Sequence, residues 1–196
     1  RNEMRAEIIK LRQRINTTFI YVTHDQTEAM TLGDRIVIMR DGFIQQIGTP
    51  QEVFDHPANL FVAGFIGMPQ MNYFDAKLVK NGAKYSVAVG GIIVELSEDK
   101  QKRLSDKNVE EQDIILGVRP DHINLCENGI KASVDVSELM GASVHLHLNS
   151  NGKDIIAIVP TNGAFSHYPM GSEVNLTFNG KVAHVFSKTT EKNLEF

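Results

Sequence analysis

The sequence predicts a mainly β protein, in which a small antiparallel barrel or sandwich follows a shorter segment of mixed helices and strands. Short apolar runs recur from residue 73 to residue 186, and turn-forming pairs such as Asn81-Gly82 and Asn151-Gly152 separate them. Helical periodicity is concentrated before residue 67. The 196 residues, 42% of them hydrophobic and 22% charged, suffice for one globular domain or two small ones.

The first elements follow from periodicity and capping signals. Apolar residues at three- and four-residue steps predict a helix over residues 1–15, and the unbroken apolar run Thr18–Val22 predicts a buried strand. The next helix is expected from Asp25 to Leu32. Asp25 suits its N-cap, and Glu28 stands where a capping box requires a carboxylate.

A hairpin and two short helices complete the first segment. Asp41-Gly42 is a strong hairpin turn signal between the strands Arg35–Met39 and Phe43–Ile47. Thr49-Pro50 then supplies an N-cap followed by proline at the first helical position, and a last short helix is expected over Asn59–Ile66.

After Gly67 the expected elements change from mixed helices and strands to short strands separated by turns. We therefore place a domain boundary near residue 68, with domains at 1–67 and 68–196. The charged stretch from Glu95 to Asp113 leaves room for one short helix. The strands expected in the second domain are Tyr73–Val79, Tyr85–Val89, Ile92–Leu96, Ile114–Val118, His122–Leu125, Lys131–Val136, Val144–Leu148, Ile155–Val159, Val174–Phe178 and Val182–Phe186.

Composition excludes several classes of protein. Twenty Lys and Arg against 24 Asp and Glu give a net charge of −4, which lacks the basic footprint of a nucleic-acid binder, so we expect no nucleic-acid partner. Cys126 is the only cysteine, so neither an intramolecular disulfide nor a multi-cysteine zinc site can form. The apolar run over residues 60–68 is much shorter than the roughly 20 residues that span a bilayer.

His24 is the leading candidate for a functional side chain. It follows a predicted buried strand and precedes a helix start, where α/β sheets present ligand-binding groups. An imidazole there can donate a hydrogen bond to a phosphate and orient a proton at neutral pH. Position alone still favours a histidine satisfied by the backbone.

Sequence context changes that balance. The stretch from Tyr21 to Gly42 (YVTHDQTEAMTLGDRIVIMRDG), followed by Gly48-Thr-Pro-Gln-Glu-Val-Phe, resembles the C-terminal end of an ABC transporter ATPase domain of the sugar-importer type. This resemblance makes Thr23-His24-Asp25 the H-loop. It implies that His24 contacts the γ-phosphate of ATP and helps to position the attacking water, as the catalytic and nucleotide-binding residue of this segment.

The second half resembles the same family. The segments LGVRPDHI from Leu116, VSELMG from Val136 and MGSEV from Met170 are similar to its C-terminal extension, an OB-like antiparallel barrel called the TOBE domain. The resemblance implies dimerisation with a second ATPase subunit, attachment to membrane-spanning permease subunits at the cytoplasmic face of the membrane, and a place for a regulatory protein. The first domain is then an α/β remnant of the P-loop NTPase domain.

The motifs that hold ATP and Mg²⁺ in this family do not occur in the sequence. There is no GxxxxGK[ST] loop, no LSGGQ-type signature and no Walker B acidic pair. The chain begins at Arg1 within a predicted helix, so we expect it to be part of a longer protein. On its own it should be inactive as an ATPase, and the apolar strands of residues 1–67 should be exposed because their sheet is incomplete.

Other candidates are weaker. His145 and His147 share one face of a predicted strand, and His122 and Cys126 are four residues apart, but neither pair has a third ligand, so no metal site is expected. The alternative function is a stand-alone OB-like module that binds an oligosaccharide, an oligonucleotide or an oxyanion, without an ATPase role.

Overall fold

The computed structural model describes residues 2–15, 17–161 and 167–196. The chain divides into two compact units, Arg1–Gly67 and Met68–Phe196. Over the described chain as a whole the secondary structure is mainly β, and the sheets are antiparallel, as the sequence predicts. Among the described residues, no helix is both long and apolar enough to cross a membrane.

The first unit consists of four helices and one hairpin. Asp41 and Gly42 form the hairpin turn with φ values of +52° and +82°, both positive as a two-residue type I′ turn requires. The Thr49–Glu52 capping box forms in full. The elements are α1 (Asn2–Ile15), α2 (Gln26–Leu32), β1 (Ile36–Arg40), β2 (Phe43–Gly48), α3 (Pro50–Asp55) and α4 (Leu60–Phe65).

The predicted buried strand at Thr18–Val22 is wrong. These residues have no regular secondary structure, and Ile20 and Val22 are 85% and 92% exposed. A strand requires a hydrogen-bonded neighbour, and β1 and β2 pair only with each other in the described structure. The expected exposure of the apolar strands of this unit is confirmed for this segment. It is wrong for Arg35–Met39 as a whole, because Ile36 and Ile38 are buried in the core of the unit.

The second unit contains two five-stranded antiparallel sheets. Their order is β12-β6-β3-β4-β5 in one sheet and β10-β9-β8-β11-β7 in the other. The predicted strand at His122–Leu125 is shorter than expected, because Pro120–His122 forms a 3-10 turn. The elements are β3 (Asn72–Asn81), β4 (Lys84–Val89), β5 (Ile92–Glu95), α5 (Glu98–Asp106), β6 (Gln112–Val118), β7 (Asn124–Cys126), β8 (Ile130–Leu139), β9 (Ser143–Ser150), β10 (Lys153–Pro160), β11 (Glu173–Thr177) and β12 (His184–Ser187).

Both sheets contribute to one hydrophobic core. Leu78 and Leu116 from the first sheet and Leu146 and Ile155 from the second are fully buried in it. The buried Asn72 links the two sheets at their margin. Its side-chain amide donates to the carbonyl oxygen of Ile156 and accepts from the Ile156 N–H, both at 2.8 Å, so it pairs with edge strand β10 as a neighbouring strand would.

The C-terminal arm, residues 193–195, folds back on β12 and reaches helix α5. Asn193 forms a bridge with Phe186, and the Leu194 N–H donates to the carbonyl oxygen of Val185. This arm places the fully buried Glu195 carboxylate against Lys100 Nζ, with both oxygens at 2.9 Å. A buried ion pair of this kind is costly to break, because removing one partner leaves an uncompensated charge.

Candidate functional site

His24 lies in a bend between residues 18–23, which have no regular secondary structure, and helix α2, and its side chain is exposed. The sequence therefore placed it correctly at the start of a helix, although the preceding residues form no strand. An exposed imidazole in this position is free to meet a ligand from solvent, and its ring nitrogens can donate to a phosphate oxygen.

The two neighbours of His24 are held by hydrogen bonds. The Asp25 carboxylate caps α2 by accepting from the backbone N–H groups of Thr27 and Glu28, at 2.8 and 3.1 Å. The Asp25 N–H donates to Thr23 Oγ1 at 3.0 Å. The predicted N-cap is thus confirmed, and the backbone on both sides of His24 is tied to the first turn of the helix.

Glu28 completes this arrangement from within α2. Its Oε2 atom accepts from Thr23 Oγ1 at 2.6 Å and from the Tyr21 hydroxyl at 3.2 Å. Loss of solvation, followed by this hydrogen bond to Glu28, raises the pKa of Tyr21 above its ordinary value. Glu28 therefore fixes the residues before His24.

Helix α2 is also bonded to the end of the first unit. Gln26, the first residue of the helix, accepts a hydrogen bond from the Gly67 N–H at 2.9 Å through its side-chain oxygen. Sequence reasoning missed this contact, since the two residues are 41 positions apart and nothing in their local pattern pairs them.

One face of the β1–β2 hairpin is apolar and exposed. Val37 lies opposite Ile47, and Met39 lies opposite Ile44, with a register shift between the two pairs. All four side chains are exposed. The opposite face supplies Ile36 and Ile38 to the small core of the unit. The hairpin therefore has apolar residues on both faces, and only the face with Ile36 and Ile38 is buried.

The weaker candidates are placed as polar surface groups. His145 and His147 alternate with buried residues on β9, and His147 Nε2 lies 3.0 Å from Glu138 Oε2. Cys126 Sγ lies 3.3 Å from the carbonyl oxygen of Asn128, and His122 belongs to the 3-10 turn. Within the described part of the chain, no group of three or more His, Cys, Asp or Glu side chains is arranged to hold a metal ion.

Comparison with known proteins assigns the second unit. Residues 67–123 match the family model of the MalK OB fold domain, and residues 116–186 match the TOBE domain. The first stretch covers most of the sheet that contains β3, and the second covers the sheet that contains β8. In solved structures, the cytoplasmic molybdate-binding protein ModG gives a TM-score of 0.45 at 12% identity, over 57% of this chain and 92% of that chain.

The curated relatives extend over both units. The oligosaccharides import ATP-binding protein MsmX of Bacillus subtilis is 41% identical over 97% of this chain and 53% of its own length. The multiple sugar-binding transport ATP-binding protein MsmK of Streptococcus mutans is 42% identical over 97% and 54%. The trehalose/maltose import ATP-binding protein MalK of Thermococcus litoralis is 39% identical over 98% and 52%.

The chain spans about half the length of the curated relatives it matches. The matches are continuous over almost the whole chain, so they include the His24 segment as well as both sheets of the second unit. Together with the two domain models, they show that the chain contains a MalK OB fold domain and a TOBE domain and is homologous to the C-terminal part of sugar-import ABC ATP-binding proteins.

Proposed function

We propose that this chain is the C-terminal part of the ATP-binding subunit of an ABC importer for carbohydrates, and that His24 contacts the γ-phosphate of ATP in the complete subunit. The observation that supports this most is the 41% identity to MsmX over 97% of the chain. The names of these relatives refer to import of oligosaccharides, multiple sugars, or trehalose and maltose.

The geometry around His24 fits one contact to a phosphate. The imidazole is exposed, and the bonds of Thr23 and Asp25 to helix α2 hold the backbone on either side of it. Because this backbone is already held, less conformational freedom is lost when the ring binds, which favours accurate placement of a hydrogen bond in phosphoryl transfer.

ATP and Mg²⁺ need more than this one side chain. When bound, Mg²⁺ neutralises charge that develops on the transferred phosphoryl group. The backbone amides of a P-loop and the Mg²⁺ ligands are absent from this sequence, so in our proposal the rest of the complete subunit supplies them. His24 contributes a hydrogen-bond donor and orients the attacking group.

The domain assignment follows from the same proposal. Residues 1–67 are the tail of the nucleotide-binding domain, and residues 68–196 are the regulatory OB-like region. The partners are a second ATP-binding subunit, the permease subunits and a regulatory protein, and the subunit lies on the cytoplasmic face of the membrane through its permease. The exposed apolar face of the hairpin supports this assignment, because a complete nucleotide-binding sheet would cover such a surface.

The proposal is tested with a chimera that joins the part of Bacillus subtilis MsmX that this chain does not match to residues 1–196. We expect the purified chimera to hydrolyse ATP, and His24→Ala to lower kcat by about 100-fold or more. His145→Ala, which changes a histidine on the outer face of β9, should leave kcat unchanged. A folded chimera that binds no ATP, or full activity in the His24→Ala variant, would contradict the proposal.

A further inference from the structure

The hydrogen bond between Gln26 and Gly67 connects two places that matter for the proposed function. Gln26 follows His24 and Asp25 directly and opens helix α2. Gly67 is the last residue of the first unit, and Met68 begins the second. A single side chain therefore joins the start of the His24-bearing helix to the exit of the unit, with 2.9 Å between the Gly67 nitrogen and the Gln26 oxygen.

Gly67 is the last anchored point before the second unit begins. Ile66, one residue earlier, is 1% exposed and belongs to the core of the first unit. Gly67 has a φ of +112°, a value that L side chains rarely adopt, so the chain changes direction where its N–H meets Gln26. Met68 is 84% exposed.

From Gly67 a short path of bonded groups leads to His24. Gln26 and Asp25 are adjacent in the chain, and Asp25 is fixed by its cap on α2 and by its N–H bond to Thr23 Oγ1. His24 lies between the two bonded residues Thr23 and Asp25. The path from Gly67 to His24 therefore consists of one hydrogen bond, from Gly67 to Gln26, and of the peptide bonds that join Gln26, Asp25 and His24.

We propose that Gln26 is a positioning residue that couples the backbone at Gly67 to the placement of His24 for the γ-phosphate contact. This inference rests on the proposed role of His24. It requires a two-way coupling between Gly67 and the His24 segment.

The first test measures amide hydrogen exchange by NMR in the 196-residue protein. Gln26→Ala removes the acceptor, so exchange at the Gly67 amide should become about 2- to 10-fold faster, as expected for loss of one such bond. Because the path is coupled, the Asp25 amide should also exchange faster. Gln26→Glu keeps an acceptor oxygen and should restore both rates. Gln51→Ala, which loses only an exposed bond to Asp55, is the matched control.

Coupling must also act in the reverse direction. Thr23→Val removes the hydroxyl that accepts from the Asp25 N–H while keeping the side-chain shape. We expect faster exchange at the Gly67 amide in this variant. The coupling is refuted if Gln26→Ala speeds exchange only at the Gly67 amide, or if Thr23→Val leaves the exchange rate of the Gly67 amide unchanged. The hydrogen bond between Gln26 and Gly67 then acts only locally.

The second test uses the ATPase chimera and separates the two proposals. Gln26→Ala should lower kcat severalfold with little change in KM for ATP, and Gln26→Glu should recover most of that loss. If His24→Ala abolishes hydrolysis while Gln26→Ala hydrolyses ATP normally, the role of His24 stands and the coupling fails. If His24→Ala is fully active, the proposed function itself fails.

Discussion

The two units differ in how completely they bury their apolar residues. Among the described residues, the second unit has 23 buried side chains in one core, whereas the core of the first unit has five. The first unit also leaves Phe19, Ile20 and Val22 exposed, together with the outer face of its hairpin. Both units have strand-forming sequences, so the comparison shows that burial depends on the available partners as much as on local pattern.

The C-terminal arm also packs on the second unit through the buried Lys100–Glu195 ion pair. Breaking this pair should give the largest loss of stability among the variants considered. Among the described residues, Lys100→Ala leaves the buried Glu195 carboxylate with only Arg103, whose Nη2 lies 3.5 Å away. We expect a loss of about 3–5 kcal/mol in the free energy of unfolding of this unit. Urea unfolding followed by circular dichroism measures it.

The control for that prediction is Lys84→Ala, which breaks an exposed pair with Glu95 at 3.0 Å. Because both side chains are solvated, the cost should be much smaller than that of Lys100→Ala. The double variant Lys100→Met with Glu195→Leu should recover most of the stability. Equal losses in Lys100→Ala and Lys84→Ala would show that the arm does not close the unit.

A matched pair of isoleucines compares the units directly. Ile155 on β10 is fully buried, and Ile47 on β2 is 44% exposed. Ile155→Ala should cost about 2–5 kcal/mol, because it opens a cavity in the shared core, while Ile47→Ala should change stability by about 0.5 kcal/mol or less. Thermal and urea unfolding of both variants test this, and a comparable loss in Ile47→Ala would mean that the hairpin face is covered in solution.

The smallest expected effect is a pH dependence of stability, which comes from Asp99 at the start of helix α5. The hydrogen bond from Ser97, and then the bond and charge of Arg103, lower the pKa of Asp99 to about 2. A lowered folded-state pKa contributes stability above the unfolded value near 3.9, and this stability disappears as the pH falls towards 2. Because Asp99 is largely exposed, the contribution is below about 1 kcal/mol.

The variant Asp99→Asn tests the direction of this pH dependence. The stability difference between wild type and Asp99→Asn, taken from urea unfolding, should be present at pH 5 and should shrink between about pH 4 and pH 2. A difference that grows on acidification would contradict the assigned direction of the pKa shift.

Local signals predicted most of the fold. The turn at Asp41-Gly42, the caps at Asp25 and Thr49 and most strands of the second unit depend on nearby residues, and the structure confirms them. The segment Thr18–Val22 has the composition of a buried strand but finds no neighbouring strand in the described structure. Composition indicates what a segment can form, and pairing decides whether it does.

Long-range contacts could not be predicted from pattern. The bonds from Gln26 to Gly67, from Asn72 to Ile156 and from Lys100 to Glu195 join residues separated by 41, 84 and 95 positions. Each uses a polar side chain of a type that is common on surfaces. The role of His24 is a prediction from its sequence context, and the bonds that hold its neighbours became visible only in three dimensions.

The central claim is that the first unit is part of a larger nucleotide-binding domain, and the genomic sequence upstream of the codon for Arg1 tests it most directly. We predict an in-frame coding sequence that contains a GxxxxGK[ST] loop, an LSGGQ-type signature and a Walker B acidic pair. An in-frame stop codon close to Arg1, with none of these motifs between them, would contradict the claim and would favour a stand-alone module.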